Sequence, residues 1–346
     1  MDFEKVYKVY NRLQDAESKE LFSIRTEYAI SGNRFEFINR IAKYGHHVQM
    51  PKLFVKKLHE SEGIIVYGCG QEGIVAKRAI ENCGFSIACF CDKDIPENGT
   101  VEGVKVILPD VAMEKFASYL FVIGSTKYAR EMYVNLLRNG ITDNHIYLSE
   151  LGMVTGFDAE HQYFDLFEPE ENEVFVDAGC YDGKTTELFR KWTNNTYKQI
   201  YCYEPLLKQA KILERKVGSE WKNAKLITGG VWNKCEIQSF FENGTGSYIR
   251  KHGGRTINCV TIDDTVDSEV TYIKMDVEGA ELKALEGAQK TIKKYKPKLA
   301  ISVYHKPEDL FEIPEYILDI VPEYKFWIRH YSTNIWETVL YATCEK

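Results

Sequence analysis

The sequence predicts an α/β protein with two doubly wound sheets, a small N-terminal Rossmann-like domain and a larger C-terminal sheet that ends in an antiparallel hairpin. Three observations carry that expectation. Apolar strand-like runs alternate with helix-like segments twice over, first across about 61–150 and again from about 168 onward. Each series opens with a strand that runs into a glycine loop and then a helix, "IIVYGCGQEG" (64–73) and "EVFVDAGCYDGKT" (173–185). The third is "YKFWIRHYSTNIWETVLYAT" (324–343), two aromatic-rich runs split by "STN", which reads as a hairpin.

Taken in order, residues 1–60 read as a helical segment. "EKVYKVYNRLQDAESKELFSIRTEYAI" spaces its apolar residues at three and four, and "SGNRFEFINRIAKY" follows a Ser-Gly-Asn break. The Rossmann-like stretch, 61–150, has four expected strands: 63–68, 86–92, 119–124 and 145–148. A turn-rich passage, "KDIPENGTVEGVKVILP", separates the second from the third. The remainder, 151–346, begins its own series after the acidic turn "EPEEN", with strands expected at 173–179, 199–205, 225–233, 257–263, 271–279 and 297–305 before the hairpin.

Composition narrows the function. A chain of 346 residues is about twice an ordinary domain, which suits two. A net charge of −7 argues against nucleic acid or an anionic membrane as a partner, because both require a basic face. No apolar run reaches the roughly 18 residues of a membrane helix, and the charged start "MDFEKVYKVYNRLQ" lacks the apolar core of a signal peptide. The nine cysteines are odd in number, scattered and without a C-x-x-C pair, as expected of reduced cytoplasmic core residues. On that reading the sequons at Asn194 and Asn243 carry no glycan.

The two glycine loops differ in chemistry. Gly68, Gly70 and Gly73 satisfy G-x-G-x-x-G between a strand and a helix, and Asp92 lies 19 residues beyond at the end of the next strand. That is a pattern for a nucleotide or nucleotide-sugar, with the alternative that the glycines serve only tight strand–helix packing. The second loop places Asp177 on the strand before Gly179 and Gly183. A pyrophosphate would be repelled by that acid; S-adenosylmethionine, with an ammonium, a sulfonium and no phosphate, would not. Asp177 can accept from the ammonium or order the loop amides, and the glycines let the backbone pass close under the ligand. Glu204 ends the following strand, where it can take both ribose hydroxyls. Val231, in "GGVWN", falls where an adenine edge would lie, and Tyr181 can face the sulfonium or simply pack.

The stretch from about 168 to 346 resembles the FkbM-type S-adenosylmethionine-dependent methyltransferases, on "FVDAGCYDGKTTELF", "YIKMDVEGAELKALEGAQKTI" (272–292) and "LAISVYHKPEDLFEIPEYI" (299–317). The resemblance implies a class I methyltransferase fold and O-methylation of a small-molecule or glycan hydroxyl, without fixing the acceptor. The first 150 residues are only loosely similar to the extra nucleotide-binding-type module of some bacterial surface-polysaccharide proteins.

The residues support methyl transfer independently. Asp276 and Glu278 follow one expected strand and His305 follows the next, so all three should converge beyond the carboxyl ends of the sheet. His305 is the preferred general base because an unperturbed imidazole titrates near neutrality. Asp276 can instead be the base, orient His305 or ligate a divalent metal; no metal is expected, since no second ligand is evident near it in sequence. Glu278 can share in the chemistry or be merely an acidic residue in the first turn of the following helix. Lys274 is expected to pair with a carboxylate. The loop 242–255, with Arg250, Lys251, His252 and Arg255, reads equally as an acceptor lid or a solvated crossover.

Overall fold

The computed structural model describes residues 3–44, 48–149, 153–241, 248–250 and 254–344. The chain divides into two compact units, one of Met1–Tyr44, Ala159–Tyr331 and Ile335–Lys346, the other of Gly45–Asp158 and Ser332–Asn334. This division departs from the boundaries near 60 and 150 that the sequence suggests. Helices α1 (Phe3–Tyr10), α2 (Ala16–Ser31) and α3 (Arg34–Ile41) belong to the unit built by the C-terminal half. Their ends are legible in the chain. Asp15 caps α2 by accepting from the Ser18 amide at 2.7 Å, Gly32 closes it at φ 64°, and Asn33 caps α3.

The second unit starts with α4 (Lys52–Glu60) and β1 (Ile64–Tyr67), followed by α5 (Gln71–Asn82) and β2 (Cys89–Cys91). Then come β3 (Thr100–Val101), β4 (Val104–Ile107), α6 (Pro109–Lys115), β5 (Leu120–Ile123), α7 (Ala129–Arg138) and β6 (Ile146–Tyr147). The sheet order is β3-β4-β2-β1-β5-β6, parallel except for β3. Every residue of β1 and β5 is buried, as in a parallel sheet covered on both faces. The turn-rich passage hides the hairpin β3–β4, whose turn residues Glu102 and Gly103 both have positive φ.

The first glycine loop is explained by packing. A Cβ on Gly73 would collide with the carbonyl oxygen of Gly68, and one on Gly124 with the backbone of Gly73, so α5 lies directly on the strand ends. Asp92 accepts from the Cys69 amide at 2.9 Å and from the Asp94 amide at 3.1 Å. Its carboxylate is committed to the loop's own backbone. Glu72, in the first turn of α5, accepts from Thr126 and puts a negative group at the start of that helix. A nucleotide or nucleotide-sugar held by Gly68, Gly70, Gly73 and Asp92 is therefore not supported, and Gly68 and Gly73 serve close backbone approach.

The first unit continues with β7 (Val174–Ala178), α8 (Lys184–Trp192), β8 (Gln199–Tyr203), α9 (Leu207–Ser219), β9 (Ala224–Ile227) and β10 (Gly230–Val231). Next are β11 (Glu236–Phe241), β12 (Tyr248–Arg250), β13 (Arg255–Val260), α10 (Ile262–Thr265) and β14 (Tyr272–Met275). It closes with α11 (Glu281–Glu286), α12 (Gln289–Tyr295), β15 (Lys298–Ser302), α13 (Asp309–Ile320), β16 (Lys325–His330) and β17 (Thr338–Thr343). The main sheet runs β16-β17-β15-β14-β7-β8-β9, with only β17 antiparallel to its neighbours. This is the class I methyltransferase order, with its closing hairpin.

Two expected strands are placed differently. The run 225–233 breaks at Thr228–Gly229, so that β9 stays in the main sheet and β10 leaves it. The run 257–263 forms β13 in a separate sheet, β10-β13-β11-β12. The edge of the main sheet is covered by the N-terminal segment, where the Phe326 amide donates to the Arg12 carbonyl and the Gln14 amide to that of Phe326. Ser18 and Arg25 are buried there, Arg25 donating to the Ile335 carbonyl at 2.9 Å and to Thr338 at 2.7 Å. No helix among the described residues is long and apolar enough to cross a membrane.

Gly73→Ala tests the packing account. Crowding the Gly68 carbonyl should cost about 1–3 kcal/mol, read as a lower urea midpoint for the unit of Gly45–Asp158. Gly70→Ala, where a Cβ meets open space, should change stability by well under that.

Candidate active site

The donor-side loop hangs on a buried ion pair. Asp177, the fourth residue of β7, is fully buried and accepts from Thr186 at 2.7 Å and from Lys274 of β14 at 3.1 Å. The ammonium of Lys274 also donates to the carbonyls of Gly179 at 2.8 Å and Ala178 at 3.3 Å. Burial opposes the lysine's charge, but Asp177 and Asp276 more than offset it, and its pKa lies above the ordinary value. Asp177 meets the loop through Lys274, which donates both to it and to the Gly179 carbonyl. It sits beneath the loop, away from the cavity wall.

Gly179 and Gly183 both have φ near 81°. A Cβ on Gly179 would strike the Asp276 carbonyl, so this glycine lets the loop cross the end of β14; Gly183 starts α8 where a Cβ would meet Trp221. Gly183 therefore supports the loop from behind.

Above the loop lies a cavity of about 390 Å³. Gly179, Tyr181, Glu204, Gly230 and Val231 line it toward the β8 side, and Asp276, Glu278, Tyr304 and Glu337 toward the β15–β17 side. Glu204 is only 3% exposed; burial pushes its carboxyl up to about 7, against the hydrogen bonds it accepts from the amides of Leu206 and Tyr181. Tyr181, with φ 44°, packs on the cluster of Leu206, Phe240, Ile257 and Cys259. Val231 is held by β10, which pairs with β13. The small sheet missed in sequence thus forms one wall.

Acids gather at the other end. Asp276 accepts from Tyr163 at 2.9 Å and more weakly from Tyr304 at 3.4 Å. Glu278 stands in the left-handed region at φ 55°. His305 brings Nε2 to 3.3 Å from Glu278 and 3.5 Å from Asp276, and Nδ1 to 3.0 Å from Glu281. Asp276, Glu278 and His305 do converge. The protonation state, however, differs from expectation. Burial alone would lower the His305 pKa, but Glu281, then Glu278 and Asp276, raise it to about 11. The surrounding carboxylates favour the protonated imidazole, which argues against the general-base role for His305.

Two site carboxylates escaped the sequence reading. Glu281 is fully buried and accepts from the Val277 amide at 2.9 Å; it closes the D-V-E-G-A-E string, where it was legible as part of the motif but not as a neighbour of His305. Glu337, at φ 66° just before β17, accepts from Gln162 at 2.6 Å; burial first and Asp276 next push its carboxyl up to about 7. No motif surrounds it. Asp276, Glu281 and His305 each offer one ligand atom, all within 4.8 Å of one another, so Asp276 does have partners able to share a cation. In the loop read as a lid, Lys251, His252 and the side chain of Arg250 lie outside the described residues, and Arg255 begins β13.

With this geometry in view, the relationship to known proteins can be stated. Residues 177–328 match the family model described as the Methyltransferase FkbM domain. The C-terminal unit carries an FkbM methyltransferase domain. The matched stretch is similar to that methyltransferase domain, and the loop of Asp177 to Gly183 is its first element. Among solved structures, the chain is similar to methyltransferase FkbM from Methylobacillus flagellatus KT at 18% identity and a TM-score of 0.49, covering 94% of this chain and 99% of that one. It is also similar to Aeropyrum pernix fibrillarin in complex with S-adenosyl-L-methionine, at 12% identity and a TM-score of 0.35, over 54% of this chain and 77% of that one. A third likeness is to an S-adenosylhomocysteine-bound methyltransferase from Podospora anserina, at 13% identity and a TM-score of 0.32, over 50% and 72%. No curated protein matches the chain.

The ion pair beneath the FkbM loop gives a direct expectation. Lys274→Met would leave Asp177 charged and unpaired in the interior, costing about 3–5 kcal/mol of stability in chemical denaturation. The double variant Lys274→Met/Asp177→Leu should recover much of that loss.

Proposed function

We propose that the FkbM domain transfers the methyl group of S-adenosylmethionine to a hydroxyl oxygen of a sugar, nucleotide-sugar or related small molecule. The observation that carries this reading is that one cavity joins the glycine loop and Glu204 at one side to carboxylates and tyrosines at the other. Glu204 takes the ribose hydroxyls, Gly179 lets the main chain approach the methionine part, and Val231 lies against the adenine. Tyr181 holds its ring at the cavity wall. An acceptor rich in hydroxyls suits the far side, where Asp276, Glu278 and Glu337 offer acceptors and Tyr304 a donor.

Methyl transfer is an in-line displacement in which the new oxygen–carbon bond forms as the carbon–sulfur bond breaks, and the electron pair goes to sulfur. The domain's task is to align the oxygen with the methyl group and receive the hydroxyl proton. Asp276, fixed by Tyr163 and Tyr304, orients the acceptor oxygen. The proton passes to a carboxylate of this group, for which Glu337, across the cavity, is the assigned receiver. His305 lies against Glu278, Asp276 and Glu281 and spaces the acids.

Calorimetric titration with S-adenosylhomocysteine tests the donor half. Wild type should bind and Glu204→Ala should bind at least about tenfold more weakly, one tenfold step being about 1.4 kcal/mol. The affinity should also follow pH. Glu204 is ionised only above about 7, and an ionised carboxylate accepts from both hydroxyls. With Lys274 and Asp177 as its charged neighbours, the affinity should rise about tenfold from pH 6 to pH 8 and stay flat in Glu204→Gln. Absence of binding by wild type at any pH would overturn the donor assignment. For the acceptor half, Glu337→Gln should lower turnover on an accepted sugar about 100-fold while leaving S-adenosylhomocysteine binding unchanged.

A further inference from the structure

We propose that Asp276, Glu281 and His305 form a binding site for a divalent cation, with Glu278 beside them, and that the ion holds the acceptor's hydroxyl oxygen. The purpose assigned to the ion rests on the methyltransferase reading; its binding does not.

Four observations support it. The three residues place one ligand atom each within 4.8 Å of one another. They come from three separate elements at the carboxyl ends of adjacent strands: Asp276 directly after β14, His305 after β15, and Glu281 from the first turn of α11. Such convergence is where doubly wound sheets place ligands.

The third observation concerns satisfaction of buried groups. His305 brings Nδ1 to 3.0 Å from Glu281, and Nε2 to 3.3 Å from Glu278 and 3.5 Å from Asp276, yet both ring nitrogens are buried without a hydrogen bond of acceptable geometry, and one of them is free to ligate. Glu281 is fully buried, and its Oε2 likewise has no partner, although its Oε1 is anchored by the Val277 amide. Buried polar atoms are ordinarily satisfied, so three orphaned atoms in one cluster call for a ligand.

The fourth is charge. Asp276, Glu278 and Glu281 bring three carboxylates to one imidazole, and Glu337 lines the same cavity. The buried cation nearby, Lys274, is committed to Asp177 and the loop carbonyls.

Two carboxylates with one imidazole suit a first-row ion such as Mn²⁺ better than Mg²⁺ or Ca²⁺, which prefer all-oxygen sets. Bound there, the ion withdraws electron density from the acceptor hydroxyl and weakens its O–H bond. The proton goes to Glu337, the oxygen bonds to the methyl carbon, and the carbon–sulfur pair returns to sulfur.

The experiment titrates Mn²⁺ into full-length protein previously stripped with EDTA, read by calorimetry and by the loss of the free-Mn²⁺ paramagnetic resonance signal. Wild type should bind one ion per chain in the micromolar range. Asp276→Asn and Glu281→Gln should each weaken binding 10–100-fold, and Glu204→Ala should leave it unchanged. Should Glu281→Gln fail to fold, Asp276→Asn, at a partly exposed position, decides alone. S-adenosylhomocysteine is titrated into the same stripped sample. Its binding without any Mn²⁺ binding would overturn the cation site and leave the methyltransferase reading standing. Mn²⁺ binding of equal strength in wild type and Asp276→Asn would overturn the assignment of ligands.

Discussion

The ion pair between Asp177 and Lys274 is the constraint on which the catalytic unit is arranged. Both side chains are at most 3% exposed, and each belongs to a central strand of the main sheet. A buried pair of this kind brings little net stability over an apolar pair of the same volume, because desolvation consumes most of the attraction. Its value here lies in direction. One ammonium reaches Asp177, Ala178 and Gly179, while the other oxygen of Asp177 takes Thr186 from α8. Strand, loop, helix and neighbouring strand are thus tied at a single point, and Asp276 stands two residues past the lysine. The Gly179 loop and Asp276 are positioned by the same bond.

The two glycine loops of the chain show how similar strings take different roles. Each follows a buried strand and each needs its glycines for close approach. They part over what the neighbouring carboxylates do. Asp92 turns back onto the amides of its own loop, and Glu72 occupies the helix start. Glu204, at the corresponding place in the other unit, is anchored by amides and still faces a cavity. A G-x-G-x-x-G pattern reports the backbone's geometry; whether a ligand fits depends on side chains whose orientation the pattern does not contain.

Much of the architecture was legible because periodicity is local. The α/β alternation, the closing hairpin and the convergence of Asp276, Glu278 and His305 all follow from strands and the residues after them. The small sheet was not. Its β11, "EIQSFF", mixes exposure along both faces, and β10 is two residues long, so neither shows a clear alternation. Glu337 was invisible for another reason: its neighbours Asp276 and Gln162 are far away in sequence. His305 was chosen for the titration of an isolated imidazole, and that property was replaced once Glu281, Glu278 and Asp276 folded around it. Charge states inside a site belong to the assembled cluster.

The division of the chain also sets an order of assembly during synthesis. The hydroxyl of Ser18 in α2 receives the Ile328 amide of β16, a partner 310 positions later. At ribosomal rates of about 5–20 residues per second, α1 to α3 must wait roughly 15–60 s for the strand they cover. Meanwhile Gly45–Asp158 emerges as one continuous stretch that holds all of its unit but Ser332–Asn334. Leu21, Phe22 and Ile24, buried in the finished protein, spend that interval uncovered. The earliest-made helices are therefore the last to be sheltered, and they form the segment on which a nascent-chain chaperone would have the longest hold.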